Sequence, residues 1–333
     1  MEMSVPQVLE LVPKRAAVRS VLKEKGNLRP PIVWAVGGGK GGVGKSFVVS
    51  NLGIFLGKQG HRTLLVDADF GGSNLHTFLG MSAPTRGLHD FFAKRSRNIG
   101  ELVVPTEISG VSLLGGAQYY LEAANPKFAQ KERLQQILTR ADTDYVLLDL
   151  GAGTAFYILD LFLFAQEKIV VVSPEPTSVE NVYQFLKSAF FRWVKREISS
   201  PQIKQWVDRA IDQRADNGIK TPVDLIQRIS EMDPQLTEEV ENLRRSFRVK
   251  LVVNQVRTSK DSRLLDAIVQ ACDKHLGLTV EPLGCVPFDD TVWKSIRSRK
   301  PFVQHYSHSA SARRLEILLK KLVLPEKGKH GVA

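Results

Sequence analysis

Gly39, Gly44, Lys45 and Ser46 stand in the order G-x-x-x-x-G-K-[ST], inside the stretch IVWAVGGGKGGVGKSFVVS from Ile32 to Ser50. Glycines at this spacing let the backbone curl until successive N–H groups point inward at phosphate oxygens. Lys45 then reaches the β- and γ-phosphates, and the Ser46 hydroxyl becomes a ligand for Mg²⁺. That chemistry needs a strand before the loop and a helix after it. Ile32–Val36 is a short apolar run with β-branched residues, and reads as a strand buried on both faces. Phe47, Val48, Asn51, Leu52, Phe55 and Leu56 recur at helical spacing, so a positive helix N-terminus faces the same phosphates. Gly41, Gly42, Val43 and Phe47 complete the nucleotide-binding stretch. This is a nucleotide site.

Carboxylates follow at two strand ends. Thr63–Asp67 is a second apolar strand, and Asp67, Ala68, Asp69, Phe70, Gly71, Gly72, Ser73 and Asn74 form a loop at its carboxyl end. Open parallel sheets place their ligands at such ends. Tyr145–Leu148 is a buried strand running into Asp149, a pattern that sets a carboxylate near Mg²⁺, usually through water. Gly151, Ala152 and Gly153 then allow close backbone approach to a γ-phosphate and movement when it leaves.

The loop carries a second lysine, Lys40, and its form KGGVGKS resembles the deviant P-loop of the MinD/ParA family of dimerising ATPases. The strings LDLGAGT and PEPTS resemble the flagellar-number regulators, the FlhG/FleN branch of that family, and PEPTS would lie near the dimer face. The resemblance implies that Lys40 reaches across a face-to-face homodimer to the partner's nucleotide. It implies that Asp69 orients the attacking water, and that Asp67 lies in the outer shell of the magnesium. Asn254, just after the strand Val249–Val253, would contact adenine, whose edge needs both the donor and the acceptor of an amide. Pro287 and Asp289, after the strand Leu283–Val286, are further nucleotide-binding candidates. A plain alternative for Asp69 is capping of the next short helix. For Lys40 it is a solvated loop lysine.

The implied cofactors are ATP or ADP with Mg²⁺, and the implied activity is Mg-dependent ATP hydrolysis. The fold class is α/β, a doubly wound and mainly parallel sheet flanked by helices. Function follows as an ATP-dependent dimerising switch that positions or regulates a cellular assembly, with a protein activator or cargo as partner. A nucleic-acid-binding ParA-type partition ATPase is the alternative, and a metal-cluster carrier a weaker one.

The chain has 333 residues, 43% of them hydrophobic and 24% charged, enough apolar material for a substantial core. No apolar run is long enough for a spanning helix, and the first residues lack the layout of an export signal. Cys272 and Cys285 do not suit a metal knuckle; both read as small buried residues. The expected place is the cytoplasm, with peripheral contact at the inner membrane or nucleoid. A net charge of +11 favours an anionic partner, such as an acidic membrane surface or DNA. The bases cluster as Lys94, Arg95, Arg97; Arg192, Lys195, Arg196; Arg244, Arg245, Arg248, Lys250; and Lys294, Arg297, Arg299, Lys300.

Residues 1–30 read as a basic leader of two short helical pieces, and 31–333 as the ATPase domain. A helical insertion is expected over about 199–247, with Thr221–Pro222 and Asp233–Pro234 as helix starts. It would serve a partner contact or pack on the sheet. Asn125–Pro126 signals another helix start. Leu315, Leu318, Leu319 and Leu322 give the last helix a core face, so its lysines and arginines read as a polar edge rather than a lipid anchor.

Overall fold

The computed structural model describes residues 29–96, 98–116, 128–211 and 219–323. The leader, Arg97, the Asn125–Pro126 signal and everything from Leu324 onward lie outside the described residues. In chain order the elements are β1 (Ile32–Gly37), α1 (Lys45–Lys58), β2 (Thr63–Ala68), α2 (Leu75–Phe78), α3 (Leu88–Phe92), β3 (Val103–Pro105), β4 (Val111–Leu114), α4 (Phe128–Leu138), β5 (Tyr145–Leu150), α5 (Phe156–Phe164) and β6 (Glu167–Val172). Then come α6 (Pro176–Glu197), α7 (Pro201–Ile211), α8 (Pro222–Ser230), α9 (Pro234–Ser246), β7 (Arg248–Val256), α10 (Ser259–Leu276), β8 (Thr279–Pro287), α11 (Asp290–Ser298), α12 (Phe302–His305) and α13 (Ala310–Val323).

The strands form one eight-stranded sheet in the order β3-β4-β2-β5-β1-β6-β7-β8, parallel except where β3 runs antiparallel to β4. β1 sits centrally, paired with β5 on one side and β6 on the other. The chain lays β2, β3 and β4 on one side of β1, returns to insert β5 beside β1, and then adds β6, β7 and β8 in turn on the other side. That reversal opens a crevice at the carboxyl end of β1, where doubly wound sheets bind ligands. Alternation along the strands supplies a core on each face. Val33, Ala35, Val146 and Leu148 face α5, α6 and α10, whereas Trp34, Val36, Tyr145 and Leu147 face α1 and α13.

Ile32 is exposed at the strand's start, so burial on both faces begins only at Val33. β8 is longer than its apolar run because it is an edge strand, which tolerates Glu281 and Pro282. For the same reason Cys285 is only half-buried, against expectation, while Cys272 is buried as expected.

The segment expected as an insertion folds as α7, α8 and α9 over α6. Ile203, Val207, Leu225, Ile229, Val240 and Phe247 join the core on that face of the sheet rather than forming one of their own. Thr221 and Asp233 cap α8 and α9, and Asp224 closes a capping box with Thr221. α6 buries Val182, Phe185, Leu186, Ala189, Phe190, Phe191 and Val194, with Phe185 packed on Phe162 of α5 and Phe190 on Phe247. At the other end, Leu315, Leu318, Leu319 and Leu322 of α13 are buried against α1 and β8. They face protein, not lipid.

Asp160 of α5 is a buried hub. It accepts from Lys131 of α4 at 2.9 Å and from Arg192 of α6 at 2.7 and 3.0 Å. Burial pushes its pKa up, but these cations outweigh that and hold it below the usual carboxylate range. Asp160→Ala would strand buried cations, and should cost about 3–5 kcal/mol of unfolding free energy. Urea denaturation measures it; a loss as small as that of a surface ion pair, about 0–1 kcal/mol, is the contrary result.

Candidate nucleotide site

The site gathers loops from the carboxyl ends of β1, β2, β5, β6 and β7. From β1 the chain turns through Gly38–Gly44 into α1, whose first helical bond runs from the Val48 N–H to the Gly44 carbonyl at 3.0 Å. Gly44 lies at φ 95, in the left-handed region, and a Cβ there would stand 2.1 Å from the Asn254 side chain. Gly39 packs so tightly on the Asn181 backbone of α6 that a Cβ would lie 2.2 Å from its carbonyl oxygen. No acidic residue sits in the first turn of α1 and no side chain caps it, so its N–H groups remain for an anion.

Lys45 is buried, and its Nζ donates to the Lys40 carbonyl of its own loop at 3.3 Å. Burial pushes its pKa down, against the attraction of Asp149 and Asp69. Asp67 and Asp149 are register partners on adjacent strands, so two apolar runs ending in acid set their carboxylates side by side. Their surroundings differ. Asp67 Oδ2 accepts from the Ser73 hydroxyl at 2.7 Å and the Leu75 N–H at 3.0 Å, and Oδ1 from the Asp69 N–H at 3.3 Å. Burial nonetheless pushes it up to about 6.

Asp149, 1% exposed, has no hydrogen-bond partner on either oxygen among the described residues. Burial first, then the charge of Asp67, pushes its pKa well up, with the Ser46 hydroxyl and Lys45 opposing. An orphaned buried carboxylate beside a serine hydroxyl fits Mg²⁺. Among the described residues no three carboxylate, histidine or cysteine side chains gather. The ion would therefore depend on nucleotide phosphates and water for its remaining ligands, as Mg²⁺ commonly does.

The capping role considered for Asp69 falls to Asp67, which receives the first N–H of α2. Asp69 Oδ1 instead accepts from Gly71 and Gly72 at 3.2 and 2.9 Å and lies against Gly151. The loop after β5 touches the phosphate loop directly, through the Gly153 N–H to the Gly38 carbonyl at 3.3 Å. Lys40 is not a free solvated lysine: it donates to Glu175 at 2.5 Å and to the Thr177 hydroxyl at 3.0 Å, both in the PEPTS turn. That string announces a turn near the loop but gives no sign of this pairing.

Toward β7, Asn254 is 4% exposed and donates to the Val43 carbonyl at 2.9 Å, and Gln255 donates to the Gly42 carbonyl at 2.9 Å. Sequence reasoning missed Gln255, because its conformation rather than its type brings it to the loop. Asp289 caps α11 through the Thr291 N–H at 2.9 Å, and Pro287 closes β8, its carbonyl accepting from Ser311 at 2.9 Å. Phe47 is buried against Phe302.

A carboxyl whose pKa is higher folded than unfolded holds its proton more tightly in the fold. Its stabilising contribution is complete below the ordinary value of 3.8 and is lost as pH rises through the folded value. Asp149→Asn should therefore match the nucleotide-free wild type near pH 4 and exceed it by about 1–3 kcal/mol at neutral pH. Calorimetric melts of both proteins across that range check the sign; an Asn variant that loses ground as pH rises contradicts it.

Comparison with known proteins agrees with this geometry. The family model for the CobQ/CobB/MinD/ParA nucleotide binding domain matches residues 34–302. The antiactivator FleN of Pseudomonas aeruginosa is 24% identical over 304 residues, covering 90% of this chain and 89% of that protein. The septum site-determining protein MinD of Helicobacter pylori is 32% identical over 155 residues, covering 45% of this chain and 56% of that protein. Among solved structures, MinD of Pyrococcus horikoshii complexed with Mg-ADP superposes with a TM-score of 0.60 at 18% identity, over 88% of this chain and 96% of that one. With that match spanning β1 to α12, the chain belongs to the CobQ/CobB/MinD/ParA family of nucleotide-binding proteins.

Proposed function

We propose that the chain is a dimerising ATPase switch that places or regulates a cellular assembly, of the kind served by FleN and MinD. The observation that carries this reading is the convergence of Lys45, Asp149 and Asp69 on one loop, with Lys40 at its rim. Bound Mg²⁺ would neutralise phosphate charge, held by Ser46 and, through water, by Asp149 in contact with the Asp67 shell. Lys45 exchanges the Lys40 carbonyl for phosphate oxygens. Gly71 and Gly72 fix one Asp69 oxygen, and no described residue donates to the other, which can orient a water for in-line attack. Catalysis of this kind is positioning and electrostatics.

Lys40 faces a choice. In the single chain it is paired with Glu175; to reach a partner's phosphates it must leave that carboxylate. Dimerisation then follows from the nucleotide, since phosphate charge outbids one partly exposed ion pair.

Two of the four basic clusters turn out to be largely engaged at home. Arg192 and Arg196 meet Asp160, Lys195 meets Asp208, Arg244 meets Glu241, Arg248 meets Glu281 and Lys250 meets Glu167. Lys294, Arg299 and Lys300, around α11, have no ion pair among the described residues, and Arg297 stacks on the exposed Trp293. This face is the best candidate for an anionic surface. No helix among the described residues is long and apolar enough to cross a membrane.

Lys45→Ala should abolish nucleotide binding, and Asp69→Ala should cut turnover by about 10²–10³-fold while accumulating an ATP-bound dimer. Light scattering with ATP and Mg²⁺ reads this; an Asp69 variant that stays monomeric overturns its assignment. Pelleting with acidic liposomes and with plasmid DNA, each at two salt concentrations, separates a membrane switch from a DNA-binding partition protein.

A further inference from the structure

β7 pairs with β8 through Leu251↔Pro282, slips by one residue at Leu283, continues through Val252↔Gly284 and Val253↔Cys285, and resumes at Val256↔Pro287. Between those last two pairs two β7 residues, Asn254 and Gln255, stand against the single residue Val286. This is a bulge, a device that re-aims side chains at the end of a strand. Gln255 has φ 63, a left-handed conformation that glutamine seldom adopts. The result is that two consecutive side-chain amides meet two consecutive carbonyls of the phosphate loop, Asn254 to Val43 and Gln255 to Gly42, each at 2.9 Å. A carbonyl oxygen only accepts, so the orientation of both amides is fixed by chemistry.

We propose that Asn254 and Gln255 are positioning residues, an amide clamp that shapes the phosphate loop before nucleotide arrives. In a planar trans peptide the C=O and the following N–H point in opposite directions. Drawing the Gly42 and Val43 carbonyls toward β7 therefore turns the N–H groups of Val43 and Gly44 the other way, as donors for a phosphate chain. Gly44 belongs to the same device, since its missing side chain is what admits the Asn254 amide. A loop held this way need not reorganise on binding, so the clamp acts on affinity. The ligand of the loop rests on the nucleotide reading above; the clamp itself is a property of the empty protein. The clamp also spends one Asn254 donor on the loop, so Asn254 serves the phosphate end of the site whatever it does for the base.

Gln255→Glu is nearly isosteric but sets a carboxylate against the Gly42 carbonyl, while Gln255→Gly keeps the left-handed backbone and deletes the amide. Two readouts are needed: amide exchange over Gly41–Lys45 in nucleotide-free protein, and the affinity for ADP with Mg²⁺. Gln255→Glu should speed exchange in that segment alone and weaken binding at least tenfold, with its melting temperature close to wild type. Gln255→Gly should fall between the two. Loop exchange and affinity equal to wild type in the Glu variant overturn the clamp. So does faster exchange spread over β7 and β8 with a lowered melting temperature, which marks a merely structural residue. Should wild type not bind ADP, the nucleotide reading fails, and the exchange arm still decides the clamp.

Discussion

A buried carboxylate with no hydrogen-bond partner, set beside a second carboxylate, is costly for any fold to keep. Asp149 is held in that state by its place in the sheet. It ends the strand next to β1, in register with Asp67, where burial on both faces comes with the architecture. Asp67 is made tolerable by Ser73, Leu75 and the Asp69 N–H; Asp149 is not. The unevenness gives the two acids different work. One organises the loop that carries Asp69, and the other is left for the proposed cation. Lys45 offsets part of the charge from a distance, but its ammonium is turned to its own loop.

The phosphate loop is gripped from several sides. The amides of β7 hold its Gly42 and Val43 carbonyls, Gly153 holds the Gly38 carbonyl, and Glu175 holds the Lys40 side chain. The first grip is neutral, and its Asn254 half is buried, which suits it to permanence. The others involve a glycine-rich turn and a partly exposed ion pair, which can exchange partners at small cost. A loop with one fixed flank and two yielding ones can report the state of a bound phosphate without losing its shape.

Much of this was legible in the sequence because it is written in residue types. Apolar runs ending in Asp, glycines before Lys45 and Ser46, and the Thr221 and Asp233 caps all translate directly into backbone and position. What was not legible depends on conformation or on distant packing. Gln255 acts only because a bulge and a left-handed backbone aim it. Phe185 is core because its ring packs on Phe162 of α5 and close over Gly37 of β1, contacts between distant parts of the chain that residue spacing does not announce. The short antiparallel β3, with Pro105 at its end, carries too few residues for a period to show. Asp289 follows a strand like the other acids, yet its carboxylate caps a helix. A strand-terminal acid thus takes its role from the local donors it meets.

The place of α7 to α9 bears on how the proposed switch would be felt outside the site. α5 begins at Phe156, three residues after Gly153, so any shift in the loop after β5 moves the start of that helix. Asp160, one turn along α5, ties it to α4 through Lys131 and to α6 through Arg192. α6 in turn carries Phe190 and Trp193 against Phe247, at the end of α9. These contacts are buried or part-buried, and packed contacts pass displacement on rather than absorb it. The helices α7 to α9 therefore sit at the far end of a continuous path of contacts that starts beside the phosphate loop.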